Sequence, residues 1–341
     1  MSDTVLDQIR EIIQRDVNNR GLARDANENL FTHCRDDFAN ACRSIADHPH
    51  PCVAIVTGFF IPHADPPCGE TDGPLGAIFL ARVLQPLGIK VVLYSDDFCA
   101  RAFEVGLQFC ELEKKVSVVM MRRKNSSFPR APRRGSSLRP GIEFVRLHAK
   151  RGNENKPPQR VIFLALERVG PASDGRCHNM HGRDVTEEMV PVDRLFKVAN
   201  LRTQLVTTIG IGDGGNEIGM GKIPPEVIAR NIPNGECIAC RVPTHHLIVA
   251  GVSNWGAYAL AAGVAVLRRQ RLPASLFDVE RERELLRIMV EQGPLVDGVT
   301  AKQTVTVDGL SFDDYAESLR RIGELLEEEQ CLTYDDRPGP K

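Results

Sequence analysis

Asp213, Asn216, Glu217 and Lys222 are carboxylate, amide and amine side chains set among glycines in the stretch Thr208-Ile-Gly-Ile-Gly-Asp-Gly-Gly-Asn-Glu-Ile-Gly-Met-Gly-Lys222. Glycine adopts positive φ and places no Cβ between backbone and ligand, so Gly212, Gly214, Gly215, Gly219 and Gly221 mark a tightly folded site. Two phosphate chemistries can be tested on the spacing. Gly210, Gly212 and Gly215 satisfy G-x-G-x-x-G after an apolar run, but a dinucleotide turn must open a helix, and Pro224-Pro225 follows too soon. The phosphate loop G-x-x-x-x-G-K-[ST] fails, because Asn216 stands five before Gly221 and Ile223 follows Lys222. A nucleotide- or phosphate-binding protein is therefore the weaker alternative.

A second group with chemical potential is Cys237-Ile-Ala-Cys240 followed by His245-His246. One C-x-x-C with nearby histidines can hold zinc, but a second pair is missing and zinc is not expected. The other cysteines are scattered, several in apolar stretches, as in buried thiols without a disulfide framework.

These residues need a scaffold, and the chain supplies one. It has 341 residues, 42% apolar and 26% charged, enough for a sizeable α/β core. A net charge of -2 argues against nucleic acid as a partner, and no apolar run is long enough to span a bilayer. A small molecule is the expected partner, with a homo-oligomer left open. Apolar runs at Cys52–Thr57, Val91–Tyr94, Val161–Leu166, Leu205–Ile211 and His246–Val252 read as strands buried on both faces. Thr71-Asp72-Gly73-Pro74 reads as a helix start, so residues 52–97 form a parallel βαβ unit.

Helical spacing of Val5, Ile9, Ile12 and Ile13, and again of Phe31 to Ile45, gives N-terminal helices within residues 1–48. The α/β core is expected over 49–112 and 159–310, mainly parallel and in a single large domain. Residues 113–158 are basic, serine-rich and poor in large apolar residues, and read as a disordered insertion. Ser311-x-x-Asp314 caps a final helix within 311–341. Ligands of open parallel sheets bind beyond the carboxyl ends of the strands, where Thr57, Asp96, Glu167, Asp213 and Ser253 should gather.

Six motifs in this order resemble the D-glutamate cyclase family: Thr57-Gly-Phe-Phe-Ile-Pro62, Gly69-Glu-Thr-Asp-Gly-Pro74, Glu167-Arg-Val-Gly170 with Asp174-Gly175, the glycine loop, Val249-Ala-Gly-Val-Ser-Asn-Trp-Gly256, and Val296-Asp-Gly-Val-Thr300. The resemblance runs over about residues 50–112 and 160–310. It implies a lyase converting D-glutamate to 5-oxo-D-proline and water, through attack of the α-amine on the side-chain carboxylate. Such a reaction needs a base, for which Asp213 or Glu217 are first choices, and an acid of raised pKa, for which Glu70, Asp72 and Glu167 are candidates. Thr71, Gly73 and Arg168 are expected to meet the substrate carboxylates, through free N–H groups at a helix start and a guanidinium fork. Gly214, Gly215, Asn216, Ser253 and Asn254 complete the expected binding set.

Oxygens of Asp213, Asn216 and Glu217 would suit a divalent cation such as Mg²⁺, and no organic cofactor is expected. An inactive binding or scaffold protein of the same fold is the other alternative. The N-terminus shows no targeting signal and reads as cytoplasmic, whereas animal family members place this region in the C-terminal part of a longer mitochondrial protein.

Overall fold

A computed structural model describes residues 2–122, 160–201 and 206–335. Its centre is a six-stranded sheet in the order β5-β4-β1-β6-β7-β8, every neighbouring pair parallel. The strands are β1 (Pro51–Thr57), β4 (Lys90–Asp96), β5 (Ser117–Met121), β6 (Arg160–Leu166), β7 (Val206–Gly212) and β8 (His246–Val249). Two short hairpins flank it, β2 (Phe60–Ile61) with β3 (Cys68–Gly69), and β9 (Thr306–Val307) with β10 (Leu310–Ser311).

The continuous apolar runs serve two cores at once. Along β1, Val53 and Ile55 enter one cluster while Ala54 and Val56 enter the other; along β6, Ile162 and Leu164 alternate with Val161 and Phe163. Side chains of a strand point alternately to its two faces, so a sheet covered on both sides needs apolar residues at every position. The first face carries the helices Ser2–Ile13, Asp37–Ala46, Pro74–Leu84, Ala100–Phe109, Ser253–Leu267, Val279–Glu291 and the final helix starting at Phe312. The second face carries Asp193–Leu201 and Pro225–Asn231.

This arrangement sets the site. From β1 the chain leaves through the Pro74–Leu84 helix on the first face and returns in β4; from β6 it leaves through Asp193–Leu201 on the second face and returns in β7. Strand order therefore reverses between β1 and β6, and the two outgoing connections part there to open a crevice. Thr57 and Glu167 stand on its two lips.

The sequence expectations need three corrections. Ser117–Met121 is an edge strand paired with β4, so the sheet extends into the stretch read as an insertion from residue 113. Its side chains are largely half-buried, as an edge strand permits, which leaves little apolar signal. The rest of that stretch, from residue 123, lies outside the described residues. The strand beginning at His246 ends at Val249 rather than Val252, because the chain turns to start the Ser253–Leu267 helix. The N-terminal pattern from Phe31 to Ile45 is two helices, Leu30–His33 and Asp37–Ala46.

Candidate active site

At the β1/β6 crevice Asp72, Glu167 and Asp213 each place one carboxylate oxygen within 4.8 Å of the others, and all three are buried. Each arrives from a different strand end. Asp72 precedes the Pro74–Leu84 helix, Glu167 follows β6 directly, and Asp213 follows β7. Gly73 makes the Asp72 turn feasible: its φ is +92°, and a Cβ there would lie 2.5 Å from Thr57 Oγ1. Glu167 itself is left-handed at φ +44°, held by its N–H to Ile211 O at 3.1 Å and by Ile218 N–H to Arg168 O at 2.8 Å.

Ser253 ties the three carboxylates together. Its N–H reaches Asp72 Oδ2 at 2.9 Å and Asp213 Oδ2 at 3.2 Å, and its hydroxyl donates to Glu167 Oε2 at 2.6 Å. Asn254 N–H donates to Asp72 Oδ1 at 2.8 Å. The Thr71 and Gly73 donors expected to be free at the helix opening are taken. Asn254 Oδ1 accepts from Gly73 N–H and Gly76 N–H, both at 2.8 Å, and Thr71 N–H goes to Val296 O at 2.9 Å. A side chain from a neighbouring helix thus supplies the cap that a local residue would otherwise give.

Arg168 likewise serves the scaffold. Its fully buried guanidinium pairs with Asp96 and donates to Gly58 O at 3.0 Å and Val190 O at 2.7 Å. Asp96 stands at the expected strand end, but as the partner of this arginine.

In the glycine loop, Glu217 Oε1 accepts from Asp213 N–H at 2.8 Å and Gly214 N–H at 2.6 Å. Two of the loop's backbone donors are filled by a carboxylate of the loop itself, the opposite of what a phosphate cradle requires. Asn216 Nδ2 donates to His178 O at 2.8 Å, Gly170 N–H to Asn216 O at 2.9 Å, and Gly215 O accepts from Cys240 N–H at 3.0 Å. Asn216 and Glu217 thereby brace the loop, and the oxygen set gathered around Asp213 is Asp72 and Glu167 instead of the expected Asn216 and Glu217. The zinc-type pair is split, Cys240 buried with its sulfur accepting from Val242 N–H, Cys237 exposed.

Two residues not singled out from the sequence complete the site. Arg20 pairs through Nη1 with Asp213 Oδ1 and through Nη2 with Asp308 Oδ1, the latter at 2.9 Å. Asp308 and Gly309 form the two-residue turn between β9 and β10, both at positive φ (+56° and +77°). The Asp-Gly dipeptide is a readable turn signal. Nothing local reveals that its carboxylate faces the site, and nothing local marks Arg20.

Electrostatics follow from burying so many acids together. Burial first, then the neighbouring carboxylates, hold Glu70, Asp72 and Glu167 well above the ordinary carboxylate range. Asp213 is pushed up to about 6 by burial, with Arg20 opposing, and Asp308 to about 7 by the same balance. Arg20 bridges Asp213 and Asp308, so the two acids titrate as a pair. Around Arg20 the carboxylates outweigh the burial that opposes its charge. The crevice therefore holds protons near neutral pH alongside an ionisable base.

The chain is thus an α/β protein with a buried carboxylate cluster at the switch point of its sheet. The family described as D-glutamate cyclase-like, C-terminal, matches residues 9–323. Human D-glutamate cyclase, mitochondrial, is 30% identical over 336 residues, covering 92% of this chain and 51% of the human protein. The chain belongs to the D-glutamate cyclase-like family and spans about half the length of that curated relative.

Proposed function

We propose that the chain is a lyase that closes D-glutamate to 5-oxo-D-proline and water. The observation that carries this reading is the Asp72–Glu167–Asp213 cluster, in which buried carboxyls hold protons beside an Asp213 that ionises near neutral pH. The reaction needs both forms together. From start to finish the ammonium gives up two protons, the C–N bond forms at the side-chain carboxyl carbon, one C–O bond breaks, and the departing oxygen leaves as water with two protons.

Asp213, kept ionised by Arg20 and the Ser253 N–H while burial raises its basicity, takes the proton from the amine. Glu167 delivers a proton to the leaving oxygen. It is the better carrier than Asp72, whose oxygens accept from Ser253, Asn254 and Gly73 N–H groups that favour its ionised form, whereas Glu167 accepts from Ser253 Oγ. The same three carboxylates form the oxygen donor set that a hard divalent cation such as Mg²⁺ prefers. When bound there, it would polarise the attacked carboxyl. The human relative is named mitochondrial, and the mitochondrion is our reading for this chain as well.

Purified protein incubated with D-glutamate should accumulate 5-oxoproline, measured by chiral chromatography, and Asp213→Asn should reduce turnover on the order of 10²-fold or more. No product from the unmutated chain, with or without Mg²⁺, would end this reading.

A further inference from the structure

Arg20 enters the carboxylate cluster from outside the sheet, on a backbone that is held in place from several sides. Asp16 accepts from Arg20 N–H and Gly21 N–H, each at 2.8 Å, and Asn18 Nδ2 donates to Asp308 O at 3.1 Å. Gly21, at φ +98°, lies so close to Asn231 O that a Cβ would stand 2.0 Å from it. These contacts fix the loop between the first two helices against both the turn that bears Asp308 and the Asn231 carbonyl. The guanidinium is delivered to the site with only 14% of its side chain exposed.

Its surroundings are unbalanced. Glu70, Asp72, Glu167, Asp213 and Asp308 are all buried, and Arg20 is the cation that opposes the acids at Glu70, Asp213 and Asp308. Three buried oxygens here, Thr57 Oγ1, Glu217 Oε2 and Asp308 Oδ2, lack a hydrogen-bond partner. Unsatisfied polar atoms are rare in protein interiors, and their gathering at one crevice points to a polar occupant. Those oxygens can accept hydrogen bonds from an ammonium, and a substrate that also carries carboxylates needs a cation; a two-armed guanidinium meets a carboxylate through paired hydrogen bonds.

We infer that Arg20 is the anchor for the substrate's α-carboxylate and that Asp308, its present partner, is the group this carboxylate displaces. The assignment of the α-carboxylate rests on the cyclase reading. Arg20 touches Asp213, so a carboxylate gripped by Arg20 places the adjacent Cα, and the amine on it, beside the base. The side-chain carboxylate would then extend toward Glu167. Such fixing of amine, base and acid in one geometry is what intramolecular closure requires. The N-terminal segment thereby becomes part of the active site.

Glutarate, a dicarboxylate that cannot cyclise through an amine, tests the anchor separately from the chemistry. Calorimetric titration at pH 8 should show binding to the unmutated chain, at least tenfold weaker binding to Arg20→Gln, and intermediate affinity for Arg20→Lys. Asp308→Asn should bind several-fold tighter, and that gain should vanish in the Arg20→Lys/Asp308→Asn double variant. With D-glutamate, Arg20→Lys should raise KM more than it lowers kcat.

Unchanged glutarate affinity in Arg20→Gln, or in Arg20→Lys should the glutamine variant fail to fold, would show a merely structural ion pair and overturn the inference. Absence of glutarate binding to the unmutated chain would overturn it too, as would a full Asp308→Asn gain persisting in the double variant. Glutarate binding that depends on Arg20, without turnover of D-glutamate, would uphold the anchor and sink the cyclase reading alone.

Discussion

Asp72 and Asn254 hold each other from opposite sides of the crevice: Asp72 Oδ1 accepts the Asn254 N–H at 2.8 Å, while the Asn254 side chain reaches back to Gly73 N–H at 2.8 Å and Thr71 O at 3.2 Å. Two helix N-termini, those of Pro74–Leu84 and Ser253–Leu267, are thus capped by one another's residues. Neither helix has a hydrogen-bonding side chain at its own N-cap, where Gly73 and Val252 stand.

Asn254→Ala should therefore cost about 1–3 kcal/mol, since it strands the buried Gly76 N–H and leaves Gly73 N–H only its bond to Asp72 Oδ1. Chemical denaturation measures this directly. A variant as stable as the parent would mean that water or backbone rearrangement replaces the cap.

The Arg168–Asp96 pair supports a second prediction. Both members are buried, and Asp96 also accepts from Val190 N–H at 2.8 Å, so the pair fastens the 167–190 segment to the end of β4. Asp96→Asn leaves a buried guanidinium without its counter-charge and should destabilise by about 3–5 kcal/mol. KM for D-glutamate, measured on the folded fraction, should stay near that of the parent. A large rise in KM with little loss of stability would return Arg168 to substrate binding.

The sheet was legible because a strand buried on both faces must be apolar throughout, and polar residues end each run where the strand leaves the core. Thr57, Asp96, Glu167, Asp213 and Ser253 could be grouped from that pattern alone, since parallel strands bring their carboxyl ends to one edge, whereas Glu70 and Asp72 entered through the motifs shared with the cyclase family. Arg20 and Asp308 could not, because their meaning is an ion pair between segments far apart in sequence. Asn254 was visible as a polar residue after a strand, but its role as a cap for a different helix depends on how closely two helices pack. The edge strand Ser117–Met121 was hidden for a related reason: half-exposed, it lacks the continuous burial that marked the others.

Glu217 was one of two carboxylates in the glycine loop that the sequence left equivalent, and geometry separates them. Its Oε1 holds two loop N–H groups, whereas Asp213 faces Arg20, Ser253 and the other acids. Glu217→Gln keeps an acceptor for those N–H groups but places an amide where the unpartnered Oε2 now lies. Lower melting temperature and a kcat loss smaller than that of Asp213→Asn are expected, with the pH profile unmoved. Equal losses in the two variants would make Glu217 part of the proton transfer.

Stability should also depend on pH in an unusual direction. Asp308 is raised from the usual carboxylate range to about 7 and Asp213 to about 6, both chiefly by burial. The folded state therefore binds protons that the unfolded chain has already released, and stability falls as pH rises wherever the native state holds more protons. The contribution is fully present below the unfolded carboxylate value near 4. It is lost as pH climbs through 6 to 7.

Asp308→Asn removes one of these titrations while keeping an oxygen for Arg20, and asparagine tolerates the left-handed backbone at φ +56°. Thermal melts from pH 4 to pH 8 should show the parent losing stability across that range and the variant losing less, so that the variant melts higher at pH 8 while the two converge near pH 4. Parallel melting curves would show that Asp308 does not hold its proton in the folded protein, and with it would go the picture of a carboxyl raised by burial beside Arg20.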